Sequence, residues 1–211
     1  IKGDVEVDGE NGNDQFTYFR DIQGDVKINA GAGNDYSYYL RDIQGDIEVD
    51  LGLGDDNISY VKYTQGSIVI KGDQGKDHVY DVNHGVKVEI DGGTDDDNLS
   101  IYDFQNGELL GGTGNDQLTG IYSAAPWEMN RVRDKNSNNV YDEPQVYTLD
   151  GGDGDDTLKI IGESTRLEYG ANEANLTGGK GNDTIEITDN NAGTTSGTDG
   201  NQYGIVKAVI D

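Results

Sequence analysis

The sequence predicts an all-β fold: a right-handed parallel β-solenoid with two short strands in each coil of about 21 residues. Three observations lead there. A glycine-rich turn closing on aspartate returns at near-constant spacing. Two stretches of alternating apolar residues lie between successive turns. Thirty-two glycines against two prolines supply the many tight turns such a chain needs.

The turns come first. They read GENGND to Asp14, AGAGND to Asp35, LGLGDD to Asp56, GDQGKD to Asp77, GGTDDD to Asp97, GGTGND to Asp116, GGDGDD to Asp156 and GGKGND to Asp183. The first six closing aspartates are 21, 21, 21, 20 and 19 residues apart, and intervals of 40 and 27 follow. After the aspartates come Phe16 and Tyr18, Ile58 and Tyr60, Leu99 and Ile101, Leu158 and Ile160, and Ile185 and Ile187. Before the turns come Val5 and Val7, Val26 and Ile28, Ile47 and Val49, Ile68 and Ile70, and Val88 and Ile90. Alternation of period two marks strands with one buried face. Between the stretches lies a second turn of uncharged type: IQG at 22–24 and 43–45, TQG at 64–66, NHG at 83–85 and QNG at 105–107.

One such coil cannot bury its Val/Ile face alone, so neighbouring coils must complete the hydrogen-bond ladder and the flattened core. Tyr18, Tyr39 and Tyr60 recur at one place in successive coils and are expected to stack as a ladder. Ser37 stands where Phe16 and Ile58 predict an apolar residue. Asp81 stands where Tyr60 predicts an aromatic one, and a bulge is expected there.

A Gly-Gly-x-Gly-x-Asp turn lets backbone carbonyls curl to one side, and its aspartate adds a carboxylate. A second turn stacked ~4.8 Å away encloses an oxygen-lined space. A cation taking roughly six to eight oxygens fits it, and Ca²⁺ suits flexible oxygen ligands better than Mg²⁺. Without a cation, eight stacked carboxylates would repel one another. Calcium is therefore expected to be required for folding.

These residues resemble the RTX, or hemolysin-type, family of calcium-binding nonapeptide repeats, whose pattern is GGxGxDxUx with U a large apolar residue. GGTGNDQLT (111–119), GGDGDDTLK (151–159) and GGKGNDTIE (178–186) match fully; AGAGNDYSY, LGLGDDNIS and GENGNDQFT match in part. GGTDDDNLS departs with Asp95 at the third glycine, and GDQGKDHVY places Lys76 beside Asp77. The resemblance implies a β-roll with Ca²⁺ held between equivalent turns of adjacent coils. Carboxylates would come from Asp14, Asp35, Asp56, Asp77, Asp97, Asp116, Asp156 and Asp183. Carbonyls or further oxygens would come from Asn11, Gly31, Ala32, Gly33, Gly52, Leu53, Gly54, Thr113, Gly114, Gly152, Asp153, Gly154, Gly179 and Gly181. A continuous nonapeptide array puts motifs on both edges. Here only one edge carries them, so one column is expected, with about one ion per adjacent pair of coils.

Residues 121–148 interrupt the array and hold the single Trp, the single Met and both prolines. Within them, DKNSNNVYDE places Asp134, Asn136 and Asn138 at alternate positions, followed by Val140, Asp142 and Glu143. That spacing resembles an EF-hand-like loop, with oxygens at alternate positions and a main-chain carbonyl from Val140. Asn139 stands where such loops prefer glycine, and Gln145 where they carry glutamate. A second, separate Ca²⁺ site is expected there. The organisation is thus regular coils over 1–120, the insertion over 121–148, further coils over 149–188, and a cap or lead into a next repeat over 189–211.

Composition limits the function. Forty-one Asp plus Glu against 15 Lys plus Arg give a formal net charge of −26, which argues against nucleic acid as a partner. No cysteine is present, so neither disulfides nor thiolate chemistry enters. No apolar run approaches the ~20 residues of a membrane span. His78 and His84 sit in repeat positions, and no catalytic motif is present, so no enzyme is expected. The chain starts in mid-repeat, which predicts a monomeric segment of a larger secreted or cell-surface bacterial protein.

The resemblance implies export through a type I secretion apparatus, with the parent a toxin, adhesin, protease or lipase. The chain would stay extended at low cytosolic Ca²⁺ and fold on extracellular Ca²⁺. A competing reading is an adhesin-like module binding sugar or protein through Trp127 and the basic insertion. A flat ice-binding solenoid needs regular outward threonines, and Thr17, Tyr38, Ser59 and Tyr80 are too mixed.

Overall fold

The computed structural model describes residues 1–122, 146–162, 172–189 and 205–210. The described residues are all-β, without a helix, and form a parallel β-solenoid. One stack of strands precedes the glycine turns: β1 (Val5–Asp8), β3 (Val26–Asn29), β5 (Ile47–Leu53) and β7 (Ser67–Gln74). It continues through the second halves of β8 (His78–Thr94) and β9 (Asn98–Thr113), then β11 (Val146–Asp153), β13 (Asn172–Thr177) and β15 (Ile205–Ile210). The other stack follows the turns: β2 (Gln15–Ile22), β4 (Tyr36–Ile43), β6 (Asn57–Thr64) and the first halves of β8 and β9. Beyond these lie β10 (Gln117–Tyr122), β12 (Thr157–Gly162) and β14 (Thr184–Asp189). The insertion is therefore entered from β10 and left through β11.

Every strand pair is parallel, and the register follows the repeat. Ile28, Val49, Ile70, Ile90, Leu109, Leu149 and Leu176 lie opposite one another in successive coils. All seven are buried. Burying an aliphatic side chain of this size contributes about 1.5–3 kcal/mol, which is how these glycine-rich coils stay folded. Ser37 keeps its register between Phe16 and Ile58 and is buried among them.

The first four coils of the second stack are each bent twice. Tyr18, Tyr39, Tyr60 and Asp81 have φ of 64°, 70°, 61° and 55°. Three residues on, Asp21, Asp42, Tyr63 and His84 have φ of 55°, 55°, 57° and 61°. These left-handed corners explain the expected irregularity at Asp81, since the register shifts between Val79 and Val82. One residue is lost there, which shortens the fifth period to 19. The earlier shortening to 20 falls at the second turn. Lys62 pairs with Asn83, an offset of 21, whereas Ser67 pairs with Lys87, an offset of 20. NHG and QNG accordingly lie inside the continuous strands β8 and β9 rather than in separate turns.

The tyrosine ladder forms as expected. Tyr39 and Tyr60 stack with centroids 4.9 Å apart and planes 4° apart, and Tyr18 lies 5.2 Å from Tyr39. The second turn differs from its uncharged reading. Asp4, Asp25 and Asp46 follow its glycines, and each side chain accepts the main-chain N–H one coil on, at Asp25, Asp46 and Ser67, over 2.7–3.0 Å. At the ends of the insertion, Tyr147 is wholly buried; its hydroxyl accepts from the Phe104 N–H at 3.0 Å and donates to the Ile121 carbonyl at 3.2 Å. A Cβ at Gly107 or Gly120 would come within 2.9 or 2.7 Å of its ring, so both positions stay glycine to admit it.

Candidate metal centre

Each glycine turn stacks on the next through main-chain bonds. The Gly12 N–H donates to the Ala32 carbonyl at 2.8 Å, Gly33 to Leu53 at 2.7 Å, Gly114 to Asp153 at 2.9 Å and Gly154 to Lys180 at 2.8 Å. In the other direction, Leu53 donates to the Gly31 carbonyl and Lys180 to the Gly152 carbonyl. The third glycine of the motif is forced by close approach: at Gly33, φ is 143° and a Cβ would stand 1.8 Å from the Gly12 carbonyl oxygen. Asp95 takes this place in the fifth coil with φ of 80°, and the bond one coil before it, from Gly75 to Thr94, lengthens to 3.3 Å. The turn is retained there at the cost of a strained non-glycine residue.

The eight closing aspartates form one continuous inner column. The main-chain N–H of Asp14 donates to Oδ1 of Asp35, and the pattern repeats through Asp56, Asp77, Asp97, Asp116, Asp156 and Asp183 at 2.6–3.0 Å. The column passes the insertion without a break, because Asp116 bonds directly to Asp156. Six of the eight, Asp35 through Asp156, are at most 3% exposed.

The second oxygen of each carboxylate is different. Oδ2 of Asp14, Asp35, Asp56, Asp77, Asp97, Asp116 and Asp156 is buried without a hydrogen-bond partner. It leans towards the first residue of its own turn. A Cβ at Gly72 or Gly92 would meet Asp77 or Asp97 Oδ2 at 2.3 Å, so these glycines leave space for the carboxylate. Burial raises the pKa of Asp56 and Asp116 to about 6, of Asp77 to about 7 and of Asp97 to about 8; that of Asp156 is raised by the same cause.

No ion pair among the described residues includes an inner aspartate. Lys76 points outward and pairs with Asp96 at 2.5 Å, and Lys180 pairs with Asp153 at 2.8 Å. An outer ladder runs beside the inner column with opposite polarity. Its side chains accept from the following coil rather than the preceding one: Asn34 N–H to Asn13, Asp55 to Asn34, Lys76 to Asp55, Asn115 to Asp96, Asp155 to Asn115 and Asn182 to Asp155, over 2.8–3.3 Å. The period of one motif per coil foretells that ladder, since Asn or Asp precedes every closing aspartate except Asp77.

Such a column holds seven partnerless oxygens in a dry, acidic file. Protons or cations are the two agents that can neutralise it. The donor set suits a hard divalent cation: carboxylate and main-chain oxygens, with no nitrogen or sulfur. Among the described residues no group of three or more acidic or histidine side chains is placed to hold a metal ion. Asp134, Asn136, Asn138, Val140, Asp142 and Glu143 of the EF-hand-like loop lie outside the described residues, as does Trp127.

Compared with known proteins, the chain matches no family model, and no curated protein or solved structure is similar to it. The fold defines its class as a repetitive parallel β-solenoid, compatible with a β-roll. No described helix is long and apolar enough to cross a membrane.

Proposed function

We propose that this chain is a calcium-dependent folding module of RTX type, a non-enzymatic structural segment of a bacterial protein exported by a type I secretion apparatus, such as a toxin or adhesin. The observation that carries the reading is the file of seven buried Oδ2 atoms without partners, one per turn. Pairs such as Asp14 with Asp35 and Asp35 with Asp56 would hold the ion, with main-chain oxygens of the glycine turns. When bound, calcium supplies positive charge to the file.

The chain's own residues do the rest. In the cytosol, with little calcium, ionised inner aspartates repel one another and oppose stacking. Outside the cell, millimolar calcium binds only the stacked chain, so binding free energy becomes folding free energy. Secondary structure followed by circular dichroism during titration tests this. Calcium is expected to induce cooperative β-structure at concentrations where magnesium does not, and Asp35→Ala to shift the midpoint upward. A chelator-treated chain that stays compact, cooperative and rich in β-structure at neutral pH would overturn the proposal.

A further inference from the structure

The rings of Tyr18, Tyr36, Tyr38, Tyr39 and Tyr60, carried by β2, β4 and β6, form one contiguous aromatic cluster. The left-handed corners hold Tyr18, Tyr39 and Tyr60 in file. Tyr18 leads the file and is 66% exposed. Its ring lies 5.2 Å from Tyr39, inclined by 46°, and 6.3 Å from Tyr38, edge-on. Tyr39 and Tyr60 instead lie face to face, and the Lys62 ammonium sits 4.2 Å over Tyr60. Arg41 donates to the Tyr39 hydroxyl at 3.2 Å and so fixes that ring.

We propose that this cluster is an oxidative modification site, at which Tyr18 and Tyr39 become joined by a carbon–carbon bond between ring positions ortho to their hydroxyls. The co-reactant is a one-electron oxidant, such as a haem peroxidase supplied with hydrogen peroxide. Each phenol gives up one electron to the oxidant and its hydroxyl proton to water. The two phenoxyl radicals combine at ortho carbons, and each of those carbons returns its hydrogen to the phenol oxygen as a proton exchanged through water. Two electrons and two protons leave in total, which reduces one hydrogen peroxide to two waters.

Tyr18 is the partner because its exposure lets an oxidant reach it and its ring turn. Tyr39 is the other because it is the nearest ring and is held in place. Tyr60 is disfavoured because the Lys62 ammonium lies 4.2 Å over its face, closer than the Arg41 guanidinium at 5.6 Å over Tyr39, and opposes loss of an electron more strongly. The bond would tie the first two coils together independently of any cation.

The fold does the positioning. In an unfolded chain, residues 21 apart sit roughly 25 Å from each other. The test uses the full chain with calcium, a photochemical one-electron oxidant that also works in denaturant, and tryptic peptide mapping. Peptide 3–20 carries Tyr18, and peptide 28–41 carries Tyr36, Tyr38 and Tyr39. The expected product is a monomer lighter by two hydrogen atoms, with 3–20 joined to 28–41 at Tyr39. Yield should fall about tenfold in guanidinium, where proximity is lost. Tyr18→Phe should abolish this peptide pair while leaving the β-sheet spectrum unchanged. Equal yield in guanidinium, links only between chains, or a dominant link from 28–41 to the Tyr60 peptide 42–62 would each overturn the proposal.

Discussion

Acid should replace calcium. Burial holds Asp56 and Asp116 at pKa about 6, Asp77 at about 7 and Asp97 at about 8. In an unfolded chain an aspartate titrates near ~3.9. The folded pKa is the higher one, so the folded state binds protons that the unfolded state has released. Stability from these groups is fully present below about pH 4 and is lost as pH rises through 6 to 8. Near pH 6, Asp77 and Asp97 alone carry two extra protons in the fold, a slope of about 3 kcal/mol per pH unit.

The metal-free chain is therefore expected to gain β-structure and urea resistance between pH 8 and pH 5, followed by circular dichroism. Asp77→Asn combined with Asp97→Asn should flatten the slope over that window, since each amide keeps an acceptor oxygen for the main-chain bond but cannot titrate. If the double variant keeps the full slope, the effect comes from the general surface charge. If the wild-type chain is equally unstructured at both pH values, the neutralised file is not what limits folding.

Three further outcomes follow from the same geometry. Gly33→Ala forces a Cβ to 1.8 Å from the Gly12 carbonyl at φ of 143°, so it should abolish calcium-induced folding in the dichroism titration, whereas Gly3→Ala, with open space around it, should not. Tyr147→Phe removes a buried hydroxyl that both accepts and donates, and should cost about 1–3 kcal/mol in urea unfolding with calcium present. Lys76→Ala should change stability by less than about 1 kcal/mol and leave calcium stoichiometry by calorimetry unaltered, because the ammonium pairs at the surface with Asp96 rather than with the inner file.

Much of this architecture was legible in the sequence because the repeat imposes one rule on every coil. Period-two alternation placed Ile28, Val49 and Ile70 in a single buried column, and the turn spacing placed the closing aspartates in another. The tyrosine ladder followed from the same arithmetic.

What escaped was information that spacing does not carry. The acidic ladder of Asp4, Asp25 and Asp46 lies just past the three-residue spans that mark the second turn; GD at 3–4, 24–25 and 45–46 is its signal in the sequence. Which oxygen of each inner carboxylate is bonded and which is left bare depends on side-chain rotation, and no pattern of letters encodes it. The left-handed corners fall on Tyr, Asp and His rather than glycine, so residue type did not announce them. The sequence places Lys76 beside Asp77, but neighbours along a turn face opposite ways, and the ammonium pairs outward with Asp96.

The two ladders of opposite polarity also bear on how such a chain changes length. Each side of a coil presents one acceptor and one donor: Asp35 Oδ1 and the Asn34 N–H face the coil before, and the Asp35 N–H and Asn34 Oδ1 face the coil after. Removal of one entire 21-residue period from the first three would bring matching surfaces together, while removal of a few residues would misalign both ladders and turn the apolar face outward. Growth and trimming of this molecule are thus quantised, and natural variants of differing size should differ by complete coils.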